Sequence, residues 1–474
     1  MVDQLSSIDA SFLHLETAET PMHTGGLMLV EMPEGYDGDY YEDVKSLFAE
    51  RLHMSPVLHR KLATMPFELS EPVWIEDDDV ELDYHVRHAT LRTGKFEELE
   101  LLVARLHASL MDRSRPLWEV YVIDGLESGQ VGIYQKTHHA GVDGKGSVEL
   151  AKVLYDDEPT GRKIPAPRRR RGKERYQLGV SEMLEASATN ALSQYRKIAE
   201  LIPTAGKAMF AAAKVTNSQR TPRGERNLIL GTAPRTIFND TITNQRSYTT
   251  MSTDLGEIKA LGRRVGGTVN TIVMATCSIA LERFLDERGL LPKEPLIAMV
   301  PVSLRTEGDN SANNQVSSVR VDLATDIKDL PERFKAIHNS SEAAKAVVRE
   351  LRPVLGVEVP MTGAPWMMTG MAQMIGRLNV KRLPAAGNVL ISNVPGMPTR
   401  MYFAGATIIH TFPVSIPYHA SALNITVVSY NGQLEWGITA DRRILSQDES
   451  HEVIQLMKDA IHDIGELPSV AAAG

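Results

Sequence analysis

The sequence predicts an α/β (α+β) chain folded as two lobes, and three observations carry that reading. At 474 residues the chain is too long for one ordinary hydrophobic core, because cores stop growing at roughly 250–300 residues. Segments rich in β-formers alternate with segments of helical period in both halves. The composition also breaks sharply after Tyr155, where DDEPTGRKIPAPRRRRGKER is crowded with proline and charge and reads as an exposed linker. The first lobe is therefore assigned to 1–215, with a basic linker at 156–180 and an amphipathic helix at 181–215. The second is assigned to 235–474.

The elements follow in chain order. Phe96, Leu99, Leu102, Leu106 and Leu110 recur at helical spacing and predict a helix over 96–111. Trp118 to Asp124 and Val131 to Thr137 flank a glycine-containing turn and predict a hairpin. Val148, Ala151 and Leu154 predict a helix over 146–155. Arg168 to Arg171 are either a solvated charge run or a contact for anionic headgroups. Leu184, Ala188, Leu192, Tyr195, Ile198 and Ile202 share one helical face, broken at Pro203. That face either packs on the protein or lies on a membrane. In the second lobe a helix is predicted over 270–288, and buried strands at 296–302 and 388–394. The run SALNITVVSY-NG-QLEWGITA places Asn431-Gly432 between two β-rich segments, the strongest short hairpin signal in the chain.

Composition narrows the function. Apolar residues make up 43% and charged residues 23%, an ordinary globular balance. A net charge of -9 argues against nucleic acid as a partner. Cys277 is the only cysteine, so neither a disulfide framework nor a cysteine zinc site is possible, and a reducing compartment fits. The first residues lack a basic segment followed by an apolar one, and no apolar run reaches about 18 residues. A cytoplasmic protein touching membranes only at its surface is expected.

The chemistry concentrates in KTHHAGVDGKG, which holds His138, His139, Asp143 and Gly144 in the pattern His-His-x-x-x-Asp-Gly, between a predicted strand and a predicted helix. Adjacent side chains on a strand point to opposite faces. One metal ion held by both histidines is therefore disfavoured, and one structural histidine beside one general base is favoured. Imidazole, with an unperturbed pKa of about 6.5, suits proton transfer from an alcohol in acyl transfer. Asp143 braces the turn, and Gly144 gives the backbone a tight path into the helix.

At this point the sequence resembles the bacterial bifunctional wax ester synthase/diacylglycerol acyltransferase family. Asp9, Pro21, Met22, His23, Gly25 and Gly26 look like its opening, and Pro116-Leu117-Trp118 is similar to its Pro-Leu-Trp motif. HHAGVDG matches its active-site motif. PVSLR (Pro301 to Arg305), ISNVPG (Ile391 to Gly396) and the closing ALNITVVSYNGQLEWGITADR are similar to further blocks. The resemblance implies a two-lobed fold like chloramphenicol acetyltransferase and condensation domains, with a channel between the lobes. It implies His139 as general base and a structural Asp143, for which Arg305 is the candidate partner. Pro116, Leu117 and Trp118 are expected to pack. Asn270, Ser392 and Asn393 are candidates for stabilising the oxyanion, against alternatives as a helix cap and a turn. Acyl-CoA would be a substrate, with no cofactor and no metal, and a fatty alcohol or diacylglycerol the acceptor. Peripheral attachment to the inner membrane or to lipid inclusions is expected. The relatives usually read Asn-Asp where this chain reads Asn270-Thr271. Two alternatives stay open: a condensation-type enzyme acting on another alcohol or amine, and a metal-dependent hydrolase.

Overall fold

The structure is a computed structural model that describes residues 3–63, 72–142, 144–166, 231–303, 316–355 and 384–468. Among these the strands are β1 (Asp3–Gln4), β2 (His23–Glu31), β3 (Arg60–Ala63), β4 (Val73–Glu76), β5 (Val86–Thr90), β6 (Trp118–Asp124), β7 (Val131–His138), β8 (Arg246–Asp254), β9 (Ile297–Ser303), β10 (Val316–Asp322), β11 (Val389–Val394), β12 (Tyr402–Phe403), β13 (Ala406–Val414), β14 (Leu423–Tyr430) and β15 (Gln433–Asp441). The helices are α1 (Ser7–Leu15), α2 (Tyr40–Arg51), α3 (Pro56–His59), α4 (Leu82–His85), α5 (Phe96–His107), α6 (Gly144–Leu154), α7 (Leu255–Arg264), α8 (Val269–Asp286), α9 (Leu330–Leu355) and α10 (Gln447–Glu466).

Among the described residues two six-stranded sheets organise the fold. The first runs β12-β13-β2-β7-β6-β5 and the second β10-β9-β11-β14-β15-β8. A small sheet, β1-β4-β3, lies apart from both. The expected lobes, 1–215 and 235–474, are crossed by β13, which pairs antiparallel with β2 along Thr407–Val414. The second half of the chain thus completes the sheet of the first.

Alternation decides which way each side chain faces. In the first sheet Met28, Val30, Trp118, Val120, Val122 and Ile133 form a core with α2 on one side. Leu27, Leu29, Tyr121, Ile123 and Tyr134 form another with α5 and Tyr248 of β8 on the other. The second sheet buries Leu423, Ile425, Val427, Trp436 and Ile438 against α8 and α10. Polar ties join the halves, among them those made by Glu100 and His107. Buried Glu100 accepts from the Thr250 N–H at 2.8 Å and lies 2.8 Å from His451 Nε2. His107 Nε2 donates to the Ser415 carbonyl at 3.0 Å.

Several expectations change in detail. The helix begun at Phe96 ends at His107, and Leu110 is exposed instead of continuing the apolar stripe. The Asn431-Gly432 turn joins β14 to β15 with φ of 43° and 80°, the left-handed pair a type I′ hairpin requires. The cap of α8 is Thr268, not Asn270. The Thr268 hydroxyl accepts from the Thr271 N–H, and the Thr271 hydroxyl accepts from the Thr268 N–H at 3.2 Å. Ser392 and Asn393 lie inside β11 and do not form a turn. Cys277 is buried in α8, which raises its thiol pKa. Among the described residues no single helix is long and apolar enough to cross a membrane. Arg168 to Arg171, the 184–215 stretch and Arg305 lie outside the described residues.

Candidate active site

The histidine pair sits where β7 ends. The His138 N–H donates to the Leu117 carbonyl at 3.0 Å on one side of the strand, and the His139 N–H to the Met22 carbonyl at 2.8 Å on the other. That alternation is the signature of extended chain, so the two imidazoles leave on opposite faces and do not converge on one ion. His138 is fully buried and His139 is half-buried.

His138 is locked in place. Its Nδ1 accepts from the Ala140 N–H at 3.0 Å, which puts the proton on Nε2. Nε2 then donates to Glu16 Oε2 at 3.2 Å. Glu16 also accepts from the Met22 N–H at 2.9 Å and from Arg113 Nη2 at 2.7 Å. Its side chain is 4% exposed. Burial alone would raise its pKa, but the hydrogen bonds from His138 and Met22 and the charge of Arg113 outweigh that and bring it to about 2. Met22 therefore ties the carboxylate through its N–H and the His139 backbone through its carbonyl.

Helix α1 and its C-cap residue Glu16 supply the contacts to the pair. Ser6 caps it by accepting from the Asp9 N–H at 3.0 Å. Phe12 and Glu16 are four residues apart and so share a side of the helix. The Phe12 ring stacks on His139 with centroids 4.0 Å apart and planes 11° apart. Around them Leu5, Ala10, Leu13, Leu117 and Ala140 form an apolar cluster joined by Trp74 of the small sheet. The imidazole of His139 is thus held from one flat side while its backbone is fixed at Met22.

Behind His138 lies a neutral histidine pair. His23, across the ladder from His138, donates from Nε2 to the His107 carbonyl at 2.7 Å. His107 Nδ1 accepts from the Tyr134 hydroxyl at 2.7 Å. Burial, with the charges of Arg246 and Lys136, lowers the His107 pKa to about 3. Burial with His107 nearby likewise holds His23 well below the usual range. Neither is protonated at neutral pH. Lys136 is buried with Glu119 at 3.1 Å.

The other sequence-predicted residues distribute as follows. Pro116, Leu117 and Trp118 are buried. The Trp118 indole donates to the Leu58 carbonyl at 3.0 Å and stacks between Phe48 and His85. Gly144 opens α6, and Asp143 lies outside the described residues. Asn270 Nδ2 reaches Ser341 Oγ at 3.4 Å, and Thr271 Oγ1 lies 3.3 Å from His338 Nδ1, so both face α9. Ser392 pairs across the ladder with Thr426, next to the crossover residue Ser415. Asn393 is exposed and points the opposite way. Sequence reasoning missed Phe12, Glu16 and Arg113. The one available signal was an acid directly after the short apolar run SFLHL.

The fold and this histidine arrangement define a two-lobed acyltransferase class. The architecture is shared with the first condensation domain of the calcium-dependent antibiotic synthetase (TM-score 0.57, 16% identity, 99% of this chain and 97% of that one). The wax ester synthase/diacylglycerol acyltransferase of Marinobacter aquaeolei VT8 is nearer, with TM-score 0.67 and 30% identity over 98% of this chain and 100% of that one. The family model for the wax ester synthase/diacylglycerol acyltransferase catalytic domain matches residues 5–273, and the model for the WS/DGAT C-terminal domain matches 312–465. A Mycobacterium tuberculosis protein named as a probable diacylglycerol O-acyltransferase is 34% identical over 454 residues, 93% of this chain and 94% of that one. The chain belongs to the wax ester synthase/diacylglycerol acyltransferase family and is an acyltransferase.

Proposed function

We propose that this enzyme moves a long-chain fatty acyl group from acyl-CoA to the hydroxyl of a fatty alcohol or a diacylglycerol, with His139 as general base. The observation that carries the reading is the division of labour in the histidine pair. His138 is spent on the Glu16 clamp, and His139 is the half-buried imidazole held on a flat aromatic support. The names of the mycobacterial and Marinobacter relatives support the substrates.

His139 takes the proton of the acceptor hydroxyl as its oxygen attacks the thioester carbonyl. The tetrahedral oxyanion collapses, the C–S bond breaks, and the imidazolium returns its proton to the leaving thiolate. The acyl group passes directly to the oxygen, without an acyl-enzyme. Ser392, half-buried on the face of β11 that carries its ladder partner Thr426, is the better placed of the candidate donors for the oxyanion. Both substrates partition into lipid, so the enzyme works at a membrane or droplet surface. The test is labelled palmitoyl-CoA with hexadecanol and with dioleoylglycerol as acceptors. Wax ester and triacylglycerol should both form, and His139→Ala should form neither while remaining folded. A His139→Ala variant that keeps ordinary turnover would refute the assignment.

A further inference from the structure

Gln135 is on β7, four residues before His139 and on the same face of the strand. This is the centre of a six-stranded sheet, where side chains are normally covered. His139, Thr137, Gln135 and, across the ladder, Thr24 and Gly26 are nevertheless half-buried. The open strip ends at Met28 and Ile133, which are buried under α2. Two further observations converge on its middle. Gln135 Nε2 is shielded from solvent and, among the described residues, has no hydrogen-bond partner. Gly26, its partner across the ladder, faces space that no described residue fills: among the described residues a Cβ there would find nothing nearer than the Phe412 carbonyl at 4.0 Å. The neighbouring Gly25 contrasts with it, since a Cβ there would meet the Gln135 carbonyl and the Tyr134 ring at 2.9 Å. Gly25 is required by packing and Gly26 is not.

An amide left unpaired inside a protein is costly. A sheet position that requires no polar group, next to a void on the side of the base, gives that cost a purpose. We propose that Gln135 is a specificity-determining residue whose amide donates to a carbonyl oxygen of the substrate chain lying over Gly26. This rests on the reading of His139 as the reacting centre. Two substrates carry such a carbonyl: diacylglycerol through its esters and acyl-CoA through the amides of its pantetheine arm. A plain fatty alcohol carries none.

The test is Gln135→Met, which keeps length and removes the donor, with Gln135→Leu as a second variant. Turnover is measured with dioleoylglycerol and with hexadecanol. Binding of palmitoyl-CoA and of dioleoylglycerol is measured separately in a His139→Ala background, so a result is obtained whatever reaction the protein runs. The melting temperature should hold or rise in both variants, because the unpaired donor is gone. If the ester of the acceptor is the ligand, kcat/KM for dioleoylglycerol falls about tenfold, one hydrogen bond's worth, while hexadecanol is unaffected. If the pantetheine arm is the ligand, KM for palmitoyl-CoA rises by the same factor with either acceptor. Unchanged kinetics and binding would overturn the proposal. So would a drop in melting temperature with all activities falling together, the mark of a packing residue. Wild-type protein forming neither ester would instead count against the proposed reaction, leaving the binding arms to decide on Gln135.

Discussion

Glu16→Gln isolates the clamp on the histidine pair. Every group around the carboxylate is a donor: His138 Nε2–H, the Met22 N–H and the Arg113 guanidinium. Glutamine keeps the shape but turns an NH2 toward one of them and removes the charge. The folded-state pKa of Glu16 is about 2 against an ordinary 4.5. At about 1.36 kcal/mol per pH unit that difference corresponds to about 3 kcal/mol of stability. Because the folded pKa is depressed, the contribution is complete above 4.5 and is lost as pH falls toward 2. Urea unfolding of wild type and variant across that range should therefore show a gap of about 3 kcal/mol at neutral pH that closes on acidification. Turnover should fall by about tenfold to a hundredfold, since small displacements of a catalytic group are costly. A gap that stays constant with pH, or a variant as stable as wild type, would refute the clamp.

Other outcomes follow from the same geometry. His138→Ala should lower stability as well as turnover, by leaving buried Glu16 without its imidazole partner, whereas His139→Ala should lower turnover alone; thermal melts beside the transfer assay separate them. Phe12→Leu removes the flat support of His139 and should reduce kcat more than it raises KM, with Phe12→Tyr restoring most of the loss. His107 is held neutral with its pKa near 3 while its unfolded value is 6.5, so its stability contribution is complete above 6.5 and lost as pH falls toward 3. His107→Gln should flatten the fall in unfolding free energy below 6.5, and an unchanged slope would count against it. Thr271→Asp keeps an acceptor for the Thr268 N–H and adds negative charge at the positive end of α8, where Thr271 is buried with its Oγ1 3.3 Å from His338 Nδ1, an imidazole that can offset the desolvation of the carboxylate. A slight rise in melting temperature with unchanged turnover is expected, and a several-fold gain in turnover without it would move this helix start into the chemistry.

What could be read from the sequence was local. The histidine motif, the β6–β7 hairpin and the Asn431-Gly432 turn each declare themselves within a dozen residues, through periodicity and turn chemistry. The clamp did not, because Glu16 and His138 are 122 residues apart and no periodicity links a helix end to a strand end. The cap of α8 was misassigned because Thr268 and Asn270 are both good cap residues, and the choice rests on backbone geometry. The end of α5 was overrun because Leu110 continues the apolar spacing. The helix stops after His107, whose ring is held by Tyr134 and Ser415, contacts made only in the folded chain. Gln135 was invisible for the opposite reason: its distinguishing property is a missing partner.

The crossover of β13 bears on how this chain can be divided. Covering β2 on one side, it hides the backbone edge along Gly25 to Glu31. A fragment ending before residue 235 would expose that edge, with Leu27 and Leu29 on one side and Met28 and Val30 on the other, as a ready template for strand addition by other molecules. Such a fragment should form aggregates through β2. Adding a peptide spanning Ala406–Val414 should return it to solution. The lobes would then be halves that need each other to remain soluble, and a nascent chain must shelter β2 until nearly all of the protein has been made.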